Sequence, residues 1–358
     1  MDVKMPEISV LIPYYNDEDF LKESVQSVLD QTYSDFELIL INHACTDTSR
    51  TIAHSFSDER IVHVDLPTNT GAGGGTLLEA FLKVAKGRFC KLFCADDVLH
   101  ADYLEKFMEY MTKNPHIDFC FCNESYIDRN GKSLPSDFYT DYTRHIVQSK
   151  DRNFAALQDY FHGISSLPLA SCFMKKECLA DVKIDYTFVM LFDMSLWLDM
   201  LLAGRNIGFL QETLVSYRIH AGQTSSMVHR TSIVTMSFFE HTFFLNKFFT
   251  TDNADALRKL LGRSDISNLK TLRLELAKCY LTWPAVTFQL VAYRYLHEYF
   301  QQEENRCDDR YTIAQFRDTY KHSSYAYRAF EPFKDISGLG IKGTLKLLAK
   351  KIYAKLRC

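Results

Sequence analysis

The chain has 358 residues, of which 47% are hydrophobic and 24% are charged, and its formal net charge is −4. A chain of this length and apolar content can bury a sizeable core, and we expect about two globular domains. The slightly acidic balance, without a long block of like charge, excludes any general argument for a nucleic-acid partner.

The cysteines and the first residues predict a protein of the reducing cytoplasm. Four of the cysteines fall in apolar, strand-like runs, where free cysteine behaves as a small hydrophobic residue: Cys90, Cys94, Cys120 and Cys122. None has the spacing of a structural zinc site. The start, MDVKMPE, lacks the apolar centre of a signal peptide, and no apolar run is long enough to span a bilayer. We therefore expect a protein that is neither exported nor transmembrane.

Three apolar runs alternate with helical patterns at the start of the chain. The runs predict buried strands at residues 8–12, 36–41 and 61–64. Between the first two, apolar residues recur at helical spacing over residues 21–29, with Asp17 or Asp19 as the predicted N-cap. A shorter helix with Asp47 near its start follows the second run. This alternation predicts a parallel sheet with right-handed crossovers.

A glycine run precedes the next helical pattern. Gly71 and the glycines at 73–75 come before apolar residues at helical spacing over residues 77–85. Glycines at a helix start can let backbone amides face a phosphate, but this spacing matches neither a P-loop nor a dinucleotide-binding fingerprint. The alternative is a flexible connection that lets the helix pack closely against the sheet.

Two adjacent carboxylates follow the fourth apolar run. Residues 89–93 read as a buried strand, and Asp96 and Asp97 come before the next helical pattern. Ligands of open α/β sheets bind at the carboxyl ends of the strands, and carboxylate oxygens suit a divalent metal that carries a diphosphate. The alternative is a helix cap with a solvated neighbour.

The α/β pattern then continues into a polar segment. A helix over residues 104–111 leads to a strand at 118–122 and a turn at 129–131. Residues 133–150 are polar, rich in tyrosine and without periodicity, so we expect a loop or lid there.

The order of these motifs resembles that of the family 2 glycosyltransferases. IPYYND follows the first strand, an Asp-containing turn follows the second, Asn-x-Gly precedes the third helix, and AKGRF leads into Ala-Asp-Asp. FDMSLWLDML and LVSYRIHAGQTSS continue the likeness, which covers about residues 6–226. It implies the GT-A fold, a mostly parallel α/β sheet flanked by helices, followed here by a helical C-terminal region.

The resemblance implies a nucleotide-sugar site. Its matching positions are Pro13, Tyr15, Asn16, His43, Asn69, Asp96, Asp97 and Arg218. Asp96 and His220 would hold a divalent metal, Mn²⁺ or Mg²⁺, and Arg218 would meet diphosphate oxygens through its guanidinium fork. A purely structural histidine is the alternative for His220.

Asp193 resembles the catalytic base of the inverting members. Such a base accepts the proton of the acceptor hydroxyl as that oxygen attacks the anomeric carbon, while the metal stabilises the departing nucleoside diphosphate. The alternative is that Asp193 only caps the helix that begins there.

Several positions depart from the family pattern. Asn42 and His43 stand where two acids are common, Cys94 replaces an acid often found two residues before Asp96, and Phe192 stands where a glutamate often precedes the base. The identity of the donor therefore does not follow from the resemblance.

Beyond residue 226 the sequence changes character, and we expect domains at residues 1–226, 227–335 and 336–358. The middle part has aromatic-rich helical patterns, which predict a packed helical region or, alternatively, an acceptor-binding or oligomerisation surface. Residues 336–358 carry six Lys or Arg and no acid, with aliphatic residues along one helical face. Such a helix can lie on an anionic membrane surface.

The sequence thus predicts an inverting, metal-dependent glycosyltransferase. It would move a sugar from a nucleotide-diphosphate sugar to a hydroxyl of a glycan or lipid-linked glycan in cell-surface polysaccharide synthesis, in the cytoplasm or at the inner face of the membrane. A nucleotidyltransferase would have a Gly-rich, basic first loop instead of PYYND. A non-catalytic nucleotide-sugar-binding homologue or scaffold is the other alternative. The altered Asn42, His43 and Cys94 favour it, and the joint presence of Asp96, Asp193, Arg218 and His220 argues against it.

Overall fold

A computed structural model of the chain describes residues 5–71, 73–135, 143–223, 231–306 and 310–322. The chain divides into two compact units, Met1–Met227 and Val228–Cys358. The first contains the predicted α/β motifs, and the second is helical in its described part.

Strands and helices alternate regularly in the first half of the first unit. They are β1 (Ile8–Tyr14), α1 (Leu21–Leu29), β2 (Phe36–Asn42), α2 (Ser49–His54), β3 (Ile61–Asp65), α3 (Gly74–Val84) and β4 (Phe89–Leu92). All of β2 and nearly all of β1 are buried, as expected for apolar strands with helices on both faces. Buried Cys90, Cys120 and Cys122 belong to the core as the sequence predicts.

The second half of the unit is less regular. It contains β5 (Val98–Leu99), α4 (Tyr103–Lys113), β6 (Phe119–Asp128), α5 (Arg144–Gln148), α6 (Arg152–Phe161), β7 (Phe173–Lys175), a 3₁₀ turn (Lys176–Asp181), α7 (Phe192–Leu202) and β8 (Ile207–Ile219).

In the described part of the chain, eight strands form one mixed sheet in the order β3-β2-β1-β4-β7-β6-β8-β5. The pairs β1–β2, β2–β3, β1–β4 and β6–β8 are parallel, while β7 is antiparallel to both β4 and β6, and β5 is antiparallel to β8. Two antiparallel pairings in succession restore the direction, so β6 and β8 run the same way as β1, β2 and β4. Their carboxyl ends therefore meet at one edge of the sheet.

Two local predictions were wrong. The segment predicted as a loop or lid at residues 133–150 contains the short helix α5, and residues 136–142 lie outside the described part. The N-cap of α1 is Phe20 rather than Asp17 or Asp19. The Asp17 carboxylate instead accepts the backbone N–H of Tyr15 at 2.9 Å, so it closes the turn after β1 and does not face the helix.

The described residues of the second unit form α8 (Thr231–Thr250), α9 (Ala254–Leu261), α10 (Leu269–Leu281), α11 (Val286–Gln301), a 3₁₀ turn (Glu303–Asn305) and α12 (Ile313–His322). Aromatic and aliphatic side chains of α8, α10 and α11 form its buried core, as the sequence predicts. Among the described helices, none combines the length and the apolar character needed to cross a bilayer. The predicted basic helix at residues 336–358 lies outside the described residues.

Candidate active site

A carboxylate and an imidazole meet at the carboxyl edge of the sheet. Asp96 lies four residues after β4, and His220 directly follows β8. The Asp96 Oδ2 and His220 Nε2 atoms are 3.1 Å apart, and both side chains are largely buried. The Phe20 ring packs against the His220 ring, with 4.5 Å between centroids. Two residues that the sequence assigns to one metal site thus lie together although they are 124 positions apart.

Asp97, next to Asp96, is buried and is hydrogen-bonded to the backbone of β8. Its Oδ1 accepts the backbone N–H of Arg218 at 2.8 Å. Its other carboxylate oxygen is buried and has no hydrogen-bond partner among the described residues. Burial, and then the charge of Asp96, holds the pKa of Asp97 well above its usual range.

The Arg218 side chain is buried and held by groups of the protein, while the diphosphate contact predicted for it stays a prediction. It is 1% exposed. Its Nε donates to the Asp96 carbonyl oxygen at 2.7 Å, and one terminal nitrogen donates to the carbonyls of Asp128 and Arg129. The other pairs with Glu23 at 2.6 Å. These bonds use four of the five guanidinium N–H donors, so the geometry supports a role in positioning the loop that carries Asp96.

Asp17 is a site residue that the sequence analysis treated only as a helix cap. Burial, followed by the nearby charges of Asp96 and Asp47, raises its pKa to about 6. Its backbone N–H donates to the Ser49 hydroxyl at 2.8 Å, which ties the turn after β1 to α2. The signal that could have identified Asp17 is its place three residues after a buried strand, at the same edge as Asp96.

The loops after β1 and β2 form one hydrogen-bonded unit. Asn16 adopts a left-handed conformation, with φ of 57°, and its side-chain oxygen accepts the backbone N–H of Thr46 at 2.9 Å. Neighbouring Tyr15 is 43% exposed and lies edge-on to the His43 ring. Pro13 lies within β1 and pairs in register with Ile41. The predicted base-binding residues are thus held on a rigid double loop.

His43 anchors the segment that precedes the glycine run. It is buried, which lowers the pKa of its imidazole, and its Nε2 lies 3.0 Å from the backbone nitrogen of Thr70, whose N–H donates to it. Asn69 accepts the N–H of Gly71 at 2.6 Å, closing a turn in which Gly71 has a φ of 99°. Asn42, at one of the two positions where the family pattern commonly has acids, is buried, and its side chain donates to Asp65 at 2.8 Å. The altered residues therefore have structural partners.

Asp193 forms a second acidic centre at the start of α7. It is not the N-cap, a position taken by Leu191, and its Oδ1 accepts the N–H of Met194 at 2.8 Å. Burial raises the pKa of Asp193 to about 6. A carboxylate with a pKa near neutrality is suited to accept a proton at physiological pH.

A buried lysine lies in the centre of the sheet behind the acidic pair. Lys91 in β4 is fully buried, donates to the Ala170 carbonyl, and sits 5.0 Å from the ring centroids of both Phe93 and Tyr103. Burial raises the pKa of Glu124 to about 7, while the charge of Lys91 opposes that shift. The sequence analysis did not identify this pair, because an isolated charge within an apolar run has no periodic signal.

The donor set around Asp96 fits a divalent cation. Cys94, Asp96 and Asp97 have potential ligand atoms within 4.8 Å of one another. Burial, and then the charge of Asp97, raises the pKa of the Cys94 thiol, so the thiol is protonated and a poor ligand for a hard cation. Carboxylate oxygens with an imidazole nitrogen suit Mn²⁺ or Mg²⁺ better, and Asp96 and His220 could supply them.

The family model described as glycosyl transferase family 2 matches residues 9–180, which include nearly all of β1, strands β2 to β4 and the Asp96–Asp97 pair. The chain therefore carries a glycosyltransferase family 2 domain over these residues. It is a nucleotide-sugar glycosyltransferase with the GT-A fold, which confirms the family, fold class and enzyme class that the sequence predicts.

Individual relatives cover different shares of the chain. An uncharacterised glycosyltransferase of Rickettsia prowazekii is 29% identical over 230 residues, which span 63% of this chain and 68% of the relative. The Escherichia coli UDP-Glc:α-D-GlcNAc-diphosphoundecaprenol β-1,3-glucosyltransferase WfgD is 35% identical over 123 residues, or 34% of this chain and 47% of WfgD. The structure of Staphylococcus aureus TarS residues 1–349 in complex with UDP superposes with a TM-score of 0.55 and 16% identity over 90% of this chain and 91% of TarS.

Proposed function

We propose that this glycosyltransferase is inverting and metal-dependent, and that it moves a sugar from a nucleotide-diphosphate sugar to a hydroxyl of a glycan or lipid-linked glycan in cell-surface polysaccharide synthesis. The observation that carries the proposal is the meeting of Asp96 and His220 at 3.1 Å on the ligand-binding edge of the sheet. Asp193 provides a separate carboxylate, as the reaction requires.

Asp193 is the proposed general base. As the acceptor oxygen forms its bond to the anomeric carbon, its proton passes to the Asp193 carboxylate, and the bond from that carbon to the diphosphate oxygen breaks. Attack from the side opposite the leaving group inverts the anomeric configuration. The raised pKa of about 6 leaves Asp193 ionised at neutral pH yet basic enough to take a proton.

Asp96 and His220 are the proposed metal ligands. A bound Mn²⁺ or Mg²⁺ would supply positive charge to the leaving diphosphate. Asp97 and Arg218 are proposed to act through position: the Asp97 carboxylate fixes β8 through the Arg218 N–H, and the Arg218 guanidinium fixes the Asp96 carbonyl.

The double loop after β1 and β2 is the proposed binding surface for the nucleotide. Exposed Tyr15 offers a ring to the base, while Pro13 and Asn16 keep the loop in place. His43 and Asn69 shape the adjoining segment through Thr70 and Gly71. Because a buried amide and imidazole replace two acids there, the preferred base is left to experiment.

A lipid-linked acceptor is proposed from the likeness to WfgD, whose acceptor is a sugar on diphosphoundecaprenol. We also propose that residues 336–358 attach the protein peripherally to the inner membrane face, because six basic residues without an acid can contribute on the order of 1 kcal/mol each on an anionic surface. Sedimentation with anionic vesicles at low and high salt would compare the full chain with a form ending at Asp335. Equal binding by both forms, or by neither, would contradict this attachment.

A panel of nucleotide sugars tests the function directly. Each donor is incubated with the protein and Mn²⁺, Mg²⁺ or a chelator, and thermal stabilisation and release of nucleoside diphosphate are measured. We expect one donor or a small set to give a metal-dependent response that Asp96→Ala abolishes. Activity that persists undiminished in the chelator would contradict the metal-dependent mechanism.

A further inference from the structure

Three consecutive glycines at the start of α3 lie against the segment that leads into α7. A Cβ atom at Gly73 would lie 2.8 Å from the Phe188 carbonyl oxygen, and one at Gly75 would lie 2.9 Å from the Asp185 carbonyl oxygen. At Gly74 it would lie 2.2 Å from the ring of Phe192. The space that side chains would need is therefore filled by residues 185–192.

Backbone conformation does not explain these glycines. Gly73 is the N-cap of α3 with φ of −73° and ψ of 141°, a conformation open to any residue, and the other two lie in the first helical turn. None of the three is among the glycines with positive φ. In an exposed helix start, alanine would be more favourable than glycine. The remaining reason for glycine is the close approach of residues 185–192 to the start of α3. This supports the alternative in which the glycines allow close packing, with residues 185–192 as the packing partner of the glycines instead of the sheet.

The contact at Gly74 lies one residue from the proposed base. Phe192 is the first residue of α7 and Asp193 is the second. A hydrogen bond also joins α3 to the segment that leads into α7, because the Tyr186 hydroxyl donates to Glu79 of α3 at 3.0 Å.

We propose that the glycine run at residues 73–75 is a positioning site for Asp193, with Gly74 receiving the ring of Phe192. This inference rests on the proposed role of Asp193 as the base. The Phe192 ring on the bare Cα of Gly74 locates the start of α7 by its shape. The glycines act through Phe192 and are not themselves catalytic.

Gly74→Ala tests the contact. The added methyl group must displace the Phe192 ring, and we expect kcat to fall about ten- to hundredfold through misplacement of the base, with the KM for the donor little changed. The Tm should fall as well, although alanine at an open helix start would raise it. Thr76→Ala, in the same turn, is the control and should leave kcat unchanged.

Phe192→Ala completes a double-mutant cycle. In that background the ring is gone, so Gly74→Ala should change kcat by less than roughly twofold, whereas independent effects would multiply. Multiplying effects, or full activity of Gly74→Ala, would overturn the proposal. If Gly74→Ala alone does not fold, the double variant Gly74→Ala with Phe192→Ala should fold and have the kcat of Phe192→Ala. If the double variant does not fold either, the added methyl group overlaps with something other than the Phe192 ring, which would contradict the proposal.

Asp193→Asn, measured in parallel, separates this inference from the proposed function. Full activity of Asp193→Asn would remove the base assignment and the positioning role with it. Impaired Asp193→Asn beside unimpaired Gly74→Ala would remove the positioning role alone. A crystal structure of Gly74→Ala needs no donor: we expect a displaced Phe192 ring and a shifted Asp193, and an unmoved Asp193 would contradict the proposal.

Discussion

The two acidic centres, at Asp96 and at Asp193, are held by different kinds of interaction. Around Asp96, the fixing groups are polar: the His220 ring, the Asp97 carboxylate and the buried Arg218 guanidinium, joined by hydrogen bonds of 2.7 to 3.1 Å. Around Asp193, the fixing contact is one of shape, with the Phe192 ring seated where Gly74 has no side chain.

This difference predicts which substitutions each centre should tolerate. Directional hydrogen bonds among buried charged groups depend on charge and donor geometry, and removing one partner leaves the others unsatisfied. A close-packed contact depends on volume and is insensitive to charge. The Asp96 centre should therefore be sensitive to changes of charge and hydrogen bonding. The contact between Gly74 and Phe192 that holds Asp193 should be sensitive to added methyl groups.

Asp96→Ala should have the largest effect. We expect loss of transfer by about three decades or more, together with loss of metal-dependent nucleotide binding, because the variant lacks the carboxylate that would hold the cation. Circular dichroism and the Tm should show an intact fold. Asp19→Ala, which removes an exposed acid paired with Arg129, is the matched control. Near-normal activity of Asp96→Ala with the cation still required would refute the assignment of this centre.

Asp193→Asn should have the second largest effect. We expect donor binding to be retained and the rate of sugar transfer to fall by about two decades or more, the usual scale for loss of a general base. Asp199→Asn, later on the same helix, is the control. NMR of the product gives the anomeric configuration. An unchanged rate would leave Asp193 with a structural role only, and retention of configuration would contradict the inverting mechanism.

Arg218→Lys distinguishes positioning from direct diphosphate binding. Lysine keeps the charge but cannot reach the carbonyls of Asp96, Asp128 and Arg129 and the Glu23 carboxylate together, so the free energy of unfolding should fall by about 3 kcal/mol. Urea unfolding measures this change. Arg129→Lys, at an exposed ion pair, should have little effect. Unchanged stability with a raised KM for the donor would restore the diphosphate contact that the sequence predicts.

The pH dependence should be the smallest effect. Below the Asp193 pKa of about 6 the base is protonated, so kcat should fall about tenfold per pH unit as the pH drops. Because this folded pKa lies above the unfolded value, the contribution of Asp193 to stability falls as the pH rises from about 4 to 6. Asp193→Asn should therefore raise stability at pH 7.5, by at most about 3 kcal/mol.

Asp17, whose pKa is also raised to about 6, provides the control for this profile. Asp17→Asn should retain an acidic limb near pH 6, because the limb belongs to Asp193. Disappearance of the limb in Asp17→Asn would assign it to the Asp96 centre instead.

Much of the fold follows from local signals. Continuous apolar runs predict β1 and β2 correctly because strands covered on both faces need no polar alternation. Apolar periodicity does not predict helices α6 and α9, although each has a capping signal: Asp151 caps α6, and Asn253 caps α9 ahead of a left-handed Gly262.

The sequence by itself determined the family, the α/β order and the residue types at the two acidic centres, since these depend on nearby residues and motif order. Only the tertiary structure decided what those residues touch. The partners of the buried Arg218 guanidinium come from three other segments, and one of them, Glu23, is 195 positions away. The glycines at 73–75 face residues 185–192 for the same reason: a contact between distant segments depends on how the chain folds back, and no local pattern records it.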